Sequence, residues 1–236
     1  MNMILLFKED FAADTDSVRL EGRRFKHIME VHRASVGDEL NVGLLGGLQG
    51  TGRVTAIDDG SIQMDVRLDK QPPAPLPITL VLALPRPKVL KRVIASVCMI
   101  GIKKIFLINA YRVERSFWQS PSLTEDSIKS QLILGLEQAK DTVLPEVVLC
   151  KGFKPFAENR LPGLIKDSTA ILAHPAASEP CPRNVTGHAT LAVGPEGGFI
   201  QYEVERLVSC GFRAVNLGER VLNVETALPF LVSRVC

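Results

Sequence analysis

The sequence lacks the usual signs of a disulfide scaffold, a zinc site or a membrane anchor. Its five cysteines lie far apart, form no Cys-x-x-Cys pair and are odd in number, so neither disulfides nor structural zinc is expected. Its apolar runs fall short of the roughly 18 residues that span a bilayer, and its first ten residues show no signal-peptide pattern. We therefore expect a cytoplasmic protein that has no membrane segment and needs no metal.

Two glycine motifs of nucleotide-dependent enzymes are also missing. Neither Gly-x-Gly-x-x-Gly nor Gly-x-x-x-x-Gly-Lys-Ser/Thr occurs. The glycine-rich stretch from Gly43 to Gly52 connects two predicted strands, whereas both phosphate-binding motifs require a turn from a strand into a helix. This stretch is predicted to be a hairpin loop, and a nucleotide-dependent oxidoreductase is disfavoured.

Acidic residues are absent between Asp69 and Glu114, although the net charge of the whole chain is only +2. A local basic surface is expected of a protein that binds a polyanion, and the alternative interpretation is a solvated helix face. The basic residues in this gap are Lys70, Arg86, Lys88, Lys91, Arg92, Lys103, Lys104 and Arg112.

The first 70 residues are predicted to form a small β barrel or sandwich, because short apolar segments alternate with turns that contain Gly and Asp. A basic stretch with helical spacing precedes these segments, and phosphate contact is plausible there. His27 and His32 are not expected to bind metal, because a five-residue spacing does not place two side chains on one face of an α-helix. The predicted strands are 39–42, 52–57 and 61–66.

A linker with four prolines in seven residues, Gln71 to Pro77, is predicted to separate two domains. The continuous apolar run that follows, Ile78 to Leu84, is typical of a strand buried on both faces of a parallel sheet. A helix over 89–98 that stops at Gly101 and a strand over 103–108 complete a βαβ unit. The remaining predictions are strands at 146–149, 169–173, 190–193 and 213–217, and helices at 124–139, at 202–210 and from about Thr226.

Two glycine loops follow apolar strands near the C-terminus. Leu191 to Phe199 reads Leu-Ala-Val-Gly-Pro-Glu-Gly-Gly-Phe, and Leu217 to Ala227 reads Leu-Gly-Glu-Arg-Val-Leu-Asn-Val-Glu-Thr-Ala. Glycine permits positive φ and close approach of the backbone to a ligand. Ligands of open α/β sheets bind outside the carboxyl ends of the strands, so the two loops predict a binding site rather than two unrelated turns.

These paired motifs resemble the RsmE family of 16S ribosomal RNA uridine N3-methyltransferases, in the SPOUT superfamily. The resemblance implies an α/β fold in which a PUA-like RNA-binding β-barrel domain, residues 1–71, precedes a SPOUT domain, residues 76–236, with a parallel sheet and a trefoil knot. It also implies S-adenosylmethionine as cofactor, the 16S RNA of the small ribosomal subunit as substrate, and a homodimer.

The expected roles of individual residues combine the resemblance with chemistry. Glu225 is interpreted either as the proton acceptor for uracil N3, preferred over Glu196, or as a cap of the last helix without a chemical role. Arg220 is expected to neutralise charge on the uracil oxygens or to bind phosphate. His174 is interpreted either as a base or as a cap of the strand end. The expected cofactor-binding residues are Leu172, His174, Gly194, Pro195, Glu196, Gly197, Gly198, Leu217, Gly218, Val221 and Leu222. The expected RNA-binding residues are Arg23, Arg24, Lys26, Arg33, Arg86, Lys88 and Lys91.

The chain departs from the family pattern outside the cofactor loops. Asn223 stands where the family usually has Arg, Glu137 to Asp141 replaces Glu-Gln-Ser/Cys-Gly-Arg, and Met99-Ile100 replaces Glu-Leu. Two alternatives therefore stay open beside the RsmE activity. One is a SPOUT methyltransferase with a shifted RNA target, and the other is a non-catalytic RNA-binding or assembly factor.

Overall fold

The computed structural model describes residues 2–13 and 15–236, which form two compact units. The first unit is Met1–Ala74 with Ile133–Leu144, and the second is Pro75–Leu132 with Pro145–Cys236. The two domains expected from the sequence are continuous segments. In the structure, the segment Ile133–Leu144 returns to the first unit. Backbone hydrogen bonds hold it within the first unit, because Met3 N donates to Glu137 O at 2.9 Å and Gly46 N donates to Thr142 O at 2.8 Å.

The first unit contains a five-stranded mixed sheet. Its order is β1-β3-β4-β5-β2, in which β1 and β3 are parallel and the other pairs are antiparallel. Alternate residues of β5, Ile62, Met64 and Val66, are buried in the core of this unit, as a half-buried strand requires. The strands are β1 (Ile4–Leu6), β2 (Ser17–Glu21), β3 (Glu39–Leu44), β4 (Gln49–Asp58) and β5 (Ser61–Lys70).

The helix α1 (Gly22–His27) continues into a π-helical turn, Ile28–His32, which ends at Arg33 with a φ of 52°. This turn corrects the expectation that His27 and His32 lie on different faces. A π-helix has more residues per turn than an α-helix, so a five-residue spacing returns to the same side. The two imidazole rings meet edge to face, with their centroids 5.3 Å apart.

The second unit contains a six-stranded sheet in which every pairing is parallel, in the order β11-β9-β10-β6-β7-β8. All residues of β6 and β10 are buried, which explains their continuous apolar sequences. The predicted parallel α/β architecture is confirmed. The strands are β6 (Ile78–Ala83), β7 (Lys104–Ile108), β8 (Glu146–Cys150), β9 (Thr169–Ala173), β10 (Ala189–Val193) and β11 (Arg213–Val215).

The helix α2 (Pro87–Ile100) begins with proline, which lacks only an N–H that would be unpaired there, and ends at Gly101 with a φ of 98°. Its buried stripe includes Leu90, Val93 and Val97, and burying each such side chain contributes about 1.5–3 kcal/mol. No described helix is long and apolar enough to cross a membrane. The other helices are α3 (Glu125–Ala139), α4 (Phe153–Asn159), α5 (Leu161–Ile165), α6 (Gln201–Ser209) and α7 (Val224–Val235).

The last helix differs from its prediction at its start. It begins at Val224, two residues earlier than expected, because the Asn223 side chain accepts a hydrogen bond from Thr226 N at 2.9 Å and caps the first turn. Pro229 lies in the second turn of this helix, and it has no N–H to donate to the carbonyl of Glu225. The apolar face of α7, including Leu228 and Leu231, is buried within the second unit.

Candidate active site

A cavity of about 330 Å³ lies at the carboxyl ends of β9, β10 and β11, which are neighbours in the parallel sheet. Each of the three strands ends in a loop that forms part of the wall, as expected for ligand sites in open α/β sheets. The lining consists of Ala173 to Ala176 after β9, Val193 to Phe199 at the end of β10, Leu217, Gly218, Arg220 to Val224 and Ala227 after β11, and Arg112 after β7.

The glycine loop after β10 is shaped by two separate constraints. Gly198 has a φ of 73°, a conformation that residues with a side chain rarely adopt. Gly194 and Gly197, for which the sequence also allowed positive φ, do not have it and are instead close to other atoms, backbone atoms at Gly194 and a flexible side chain at Gly197. A Cβ on Gly194 would lie 3.0 Å from Phe199 N, and a Cβ on Gly197 would lie 3.0 Å from Arg112 Cδ.

The loops after β9 and β11 are joined by Asn216. Its Nδ2 donates to the carbonyls of Ala177 and Glu179, each at 3.0 Å, and its Oδ1 accepts from Gly218 N at 3.1 Å. One side chain therefore fixes both loops through their backbones. No local pattern indicated this role, because an asparagine close to a glycine is common in ordinary turns.

His174 lines the cavity and organises the turn after β9. Its Nδ1 accepts a hydrogen bond from Ala176 N at 3.2 Å, and its backbone N–H donates to Val215 O at 2.9 Å. Nδ1 is thus unprotonated in this arrangement, and burial lowers the pKa of the imidazole. The contacts match the interpretation of His174 as a cap of the strand end.

The cavity combines an apolar wall with a few charged groups. Leu217, Val221 and Leu222 line it together with the charged side chains of Arg112, Arg220 and Glu196. Leu172 was the one expected cofactor-binding residue that does not line the cavity, because its side chain is fully buried in β9.

Glu225 lies outside this cavity. It lines a smaller one of about 160 Å³ between α2 and α7, and it pairs there with the Arg92 guanidinium. Hydrogen bonding from Arg92 holds the pKa of the Glu225 carboxyl below its usual value, and the pKa of Arg92 is raised by the same contact. Glu196 is differently placed, since its Oε1 accepts from Arg86 N at 3.0 Å while it lines the larger cavity.

The expected RNA-binding residues fall into paired and unpaired groups. In the first unit Arg23 makes two hydrogen bonds of 3.0 Å to Glu137, and Arg24 is held by Asp10. Lys26 and Arg33 are exposed and form no ion pair with any residue that the structure describes. In the second unit Arg86, Lys88 and Lys91 are exposed near the start of α2, and none of them lines the cavity.

Arg112 is the main site residue that the sequence did not single out. It belonged to the basic stretch without acidic residues, but no motif linked it to the glycine loops some 80 residues later. In the structure it donates a hydrogen bond to the carbonyl of Gly197. The strand order explains this contact, because β7 lies two strands from β10 in the sheet.

Comparison with known proteins shows the family to which this chain belongs. Residues 72–236 match the RNA methyltransferase domain family. The chain is also 30% identical over 237 residues to ribosomal RNA small subunit methyltransferase E of Treponema pallidum, with 96% of this chain and 87% of that protein covered. The chain belongs to the RsmE family of RNA methyltransferases. Another family member, from Borreliella burgdorferi, is 23% identical and covers 96% of this chain and 94% of its own length.

Solved structures of RsmE-type proteins share the fold. The Neisseria gonorrhoeae ribosomal RNA small subunit methyltransferase E, solved with S-adenosylmethionine, aligns with a TM-score of 0.73 over 98% of this chain and 94% of that one, at 20% identity. A putative methyltransferase from Legionella pneumophila, also solved with S-adenosylmethionine, gives 0.75 over 99% and 96%, at 19% identity.

Proposed function

We propose that this chain transfers a methyl group from S-adenosylmethionine to N3 of a specific uridine in the 16S RNA of the small ribosomal subunit. Membership of the RNA methyltransferase family supports the reaction class, and the names of the relatives support small-subunit RNA as the substrate. The observation that carries the proposal is the cavity at the carboxyl ends of β9, β10 and β11, with its glycine loop and apolar wall.

The lining fits the cofactor. Gly194, Gly197 and Gly198 line the cavity and carry no side chain, so a ligand can approach the backbone of this loop closely. Leu217, Val221 and Leu222 offer an apolar surface suited to an adenine ring. The bound cofactor supplies an electrophilic methyl group on a sulfonium.

The chain's own residues then have three tasks. They hold the acceptor nitrogen in line with the methyl carbon, which accounts for much of the acceleration in a reaction of this kind. Arg220, in the cavity wall, stabilises negative charge on the uracil oxygens. A carboxylate takes the N3 proton, and of the two candidates, Glu225 and Glu196, the geometry favours Glu196 because it lines the cavity.

In this proposal one domain binds RNA and the other catalyses methyl transfer. Residues 1–71 form the PUA-like domain that docks RNA, and residues 76–236, apart from the segment Ile133–Leu144 that belongs to the first unit, form the SPOUT domain with its trefoil knot. The resemblance also supports a homodimer, and the proposed ribosomal RNA substrate fits a cytoplasmic location. Lys26 and Arg33 are two exposed cations of the first unit that RNA phosphates would meet, so RNA affinity should fall steeply with added salt.

Mapping modified uridines by mass spectrometry in 16S RNA, from cells with and without the gene, tests the proposal. Loss of one N3-methyluridine in the deletion strain, restored by the wild-type gene, is the expected result. Loss of a modification at another RNA would indicate a shifted target. An unchanged modification pattern together with a small-subunit assembly defect would indicate a non-catalytic assembly factor and would contradict the proposed activity.

A further inference from the structure

The loop after β7 carries two adjacent side chains that the proposed mechanism does not use. Tyr111 is 78% exposed, which is unusual for an aromatic ring, and the sequence has only one other tyrosine. Arg112 follows it and lines the cavity. An aromatic ring beside a cation is a typical surface for unpaired nucleotides, because every base has a face that stacks and oxygens that accept hydrogen bonds.

The backbone of this loop is held in place by a buried carboxylate. Glu203, in the first turn of α6, is 3% exposed, and its Oε1 accepts from Tyr111 N at 2.7 Å. Its Oε2 accepts from Ile200 N at 3.0 Å, just after the glycine loop. A buried carboxylate is stable only when such bonds satisfy it, so Glu203 ties the two loops firmly together. Val113, the next residue, is buried, and its N–H donates to Ala110 O at 3.0 Å, which closes the turn.

Arg112 is held against the glycine loop but keeps most of its hydrogen-bonding capacity. Its guanidinium donates to the carbonyl of Gly197, and its side-chain carbons lie over the face of that glycine. A guanidinium has five N–H donors, and no other acceptor among the described residues engages this one. The residue is exposed at the edge of the cavity, where a second substrate has to enter.

We propose that Tyr111 and Arg112 form the subsite for the target nucleotide, with the tyrosine ring stacked on the unpaired base and the guanidinium donating to a uracil oxygen. This inference rests on the proposed function and adds residues to it. Stacking tolerates any base, so the tyrosine supplies affinity. The arginine supplies selectivity for a base with carbonyl acceptors, and its contact strengthens when the loss of the N3 proton places negative charge on those oxygens.

The test compares Tyr111→Ala, Tyr111→Phe and Arg112→Gln with the wild-type chain. The measured quantities are kcat and KM for methylation of small ribosomal subunits, and the Kd of S-adenosylhomocysteine by calorimetry. Tyr111→Ala should lower kcat/KM about tenfold or more, whereas Tyr111→Phe keeps the ring and should retain the wild-type value. Arg112→Gln should lower kcat at least about tenfold. In all three variants the Kd of S-adenosylhomocysteine should stay near the wild-type value.

Arg183→Gln is the matched control. Arg183 is exposed and precedes Asn184, whose N–H donates to Arg234 O near the C-terminal end of α7. The N-terminal end of α7 borders the cavity, and a helix of 12 residues is about 18 Å long. This variant removes one exposed guanidinium far from the site and should leave the kinetics unchanged.

Three outcomes would overturn the inference. Equal rates for Tyr111→Ala and Tyr111→Phe, both below wild type, would show that the ring does not stack, and wild-type rates for Tyr111→Ala would exclude the subsite. If the Kd of S-adenosylhomocysteine rises in Arg112→Gln by the same factor as the rate falls, Arg112 is a cofactor ligand.

Failure of the proposed function would be recognised separately, because the wild-type chain would then not methylate small subunits. In that case the subsite is tested by comparing the binding of single-stranded oligouridine with the binding of the same strand containing abasic positions. The wild-type chain should prefer the strand with bases, and Tyr111→Ala should lose this preference. A wild-type chain without the preference would refute the subsite.

Discussion

Arg92 and Glu225 form a two-point ion pair between α2 and α7. The guanidinium donates from Nε to Oε1 and from Nη2 to Oε2, the latter at 3.1 Å. Both side chains are partly exposed, so the pair contributes little to stability. Its chemical effect is larger, because the lowered pKa of Glu225 makes this carboxylate a weaker proton acceptor than an unpaired one.

The first prediction compares the two carboxylates. Glu225→Gln should lower kcat less than about tenfold, because the residue is paired outside the main cavity. Glu196→Gln should lower kcat about a hundredfold, because a neutral amide cannot take up the N3 proton. Glutamine keeps an oxygen that accepts from Arg86 N, so the loop should not move. The opposite ranking, measured in single-turnover methylation with cofactor binding intact, would assign the base to Glu225.

The second prediction separates two glycines of the cofactor loop. A Cβ on Gly194 would meet the backbone N of Phe199 at 3.0 Å and cannot be accommodated by a side-chain movement, so Gly194→Ala should weaken binding of S-adenosylhomocysteine at least about tenfold. A Cβ on Gly197 meets only the flexible Arg112 side chain, so Gly197→Ala should retain binding and lower the methylation rate.

Gly163→Ala is the control for these glycine variants. Gly163 lies in α5, and a Cβ at this position would have no other atom within 4 Å, so alanine should leave binding unchanged and slightly stabilise the helix. Calorimetry and a melting curve on the three variants decide the comparison. Wild-type affinity in Gly194→Ala would show that this loop does not hold the cofactor.

Much of this site was predictable because its strongest signals are local. An apolar segment that ends at glycine indicates a buried strand followed by a loop whose backbone can approach a ligand closely. Both signals lie within a few residues, and they indicated the loops after β10 and β11. Arg112 and Glu203 were not predictable, because their contacts depend on the order of strands in the sheet. Neither local spacing nor composition encodes which loops become neighbours.

Side chains that bond to nearby backbone account for the errors at element ends. Asn223 caps α7, which starts at Val224 rather than at about Thr226 as expected from the sequence. The π-helical turn at Ile28–His32 likewise changed which residues share a face. A sequence pattern assumes an ideal α-helical period, so it cannot anticipate one extra residue in a turn.

The third prediction concerns that cap. Asn223→Arg restores the residue usual in the family but removes the oxygen that accepts from Thr226 N. The free energy of unfolding should fall by about 0.5–2 kcal/mol. Asn223→Ser keeps a capping oxygen and should stay within about 0.3 kcal/mol of the wild-type value. Urea denaturation with an unchanged m-value measures both variants, and equal stability of Asn223→Arg and wild type would show that the cap contributes nothing.

The fourth prediction is a loss of stability in mild acid. The pKa of His32 is lowered by burial and then by the neighbouring His27, and both ring nitrogens are buried without a hydrogen-bond partner among the described residues. The unfolded chain, with a histidine pKa of about 6.5, therefore takes up a proton before the folded chain does. Stability should fall as the pH drops below about 6.5 and should level off below the folded pKa.

Two histidine variants separate the contributions to this pH dependence. His32→Gln removes the titration of the buried ring, so its urea midpoint should vary less between about pH 7.5 and pH 5.5 than that of the wild type. His174, whose pKa burial also lowers, should account for part of the slope that remains, and His174→Gln should reduce it further. An identical pH slope in His32→Gln and the wild-type chain would mean that His32 is as easily protonated in the folded state as in the unfolded one.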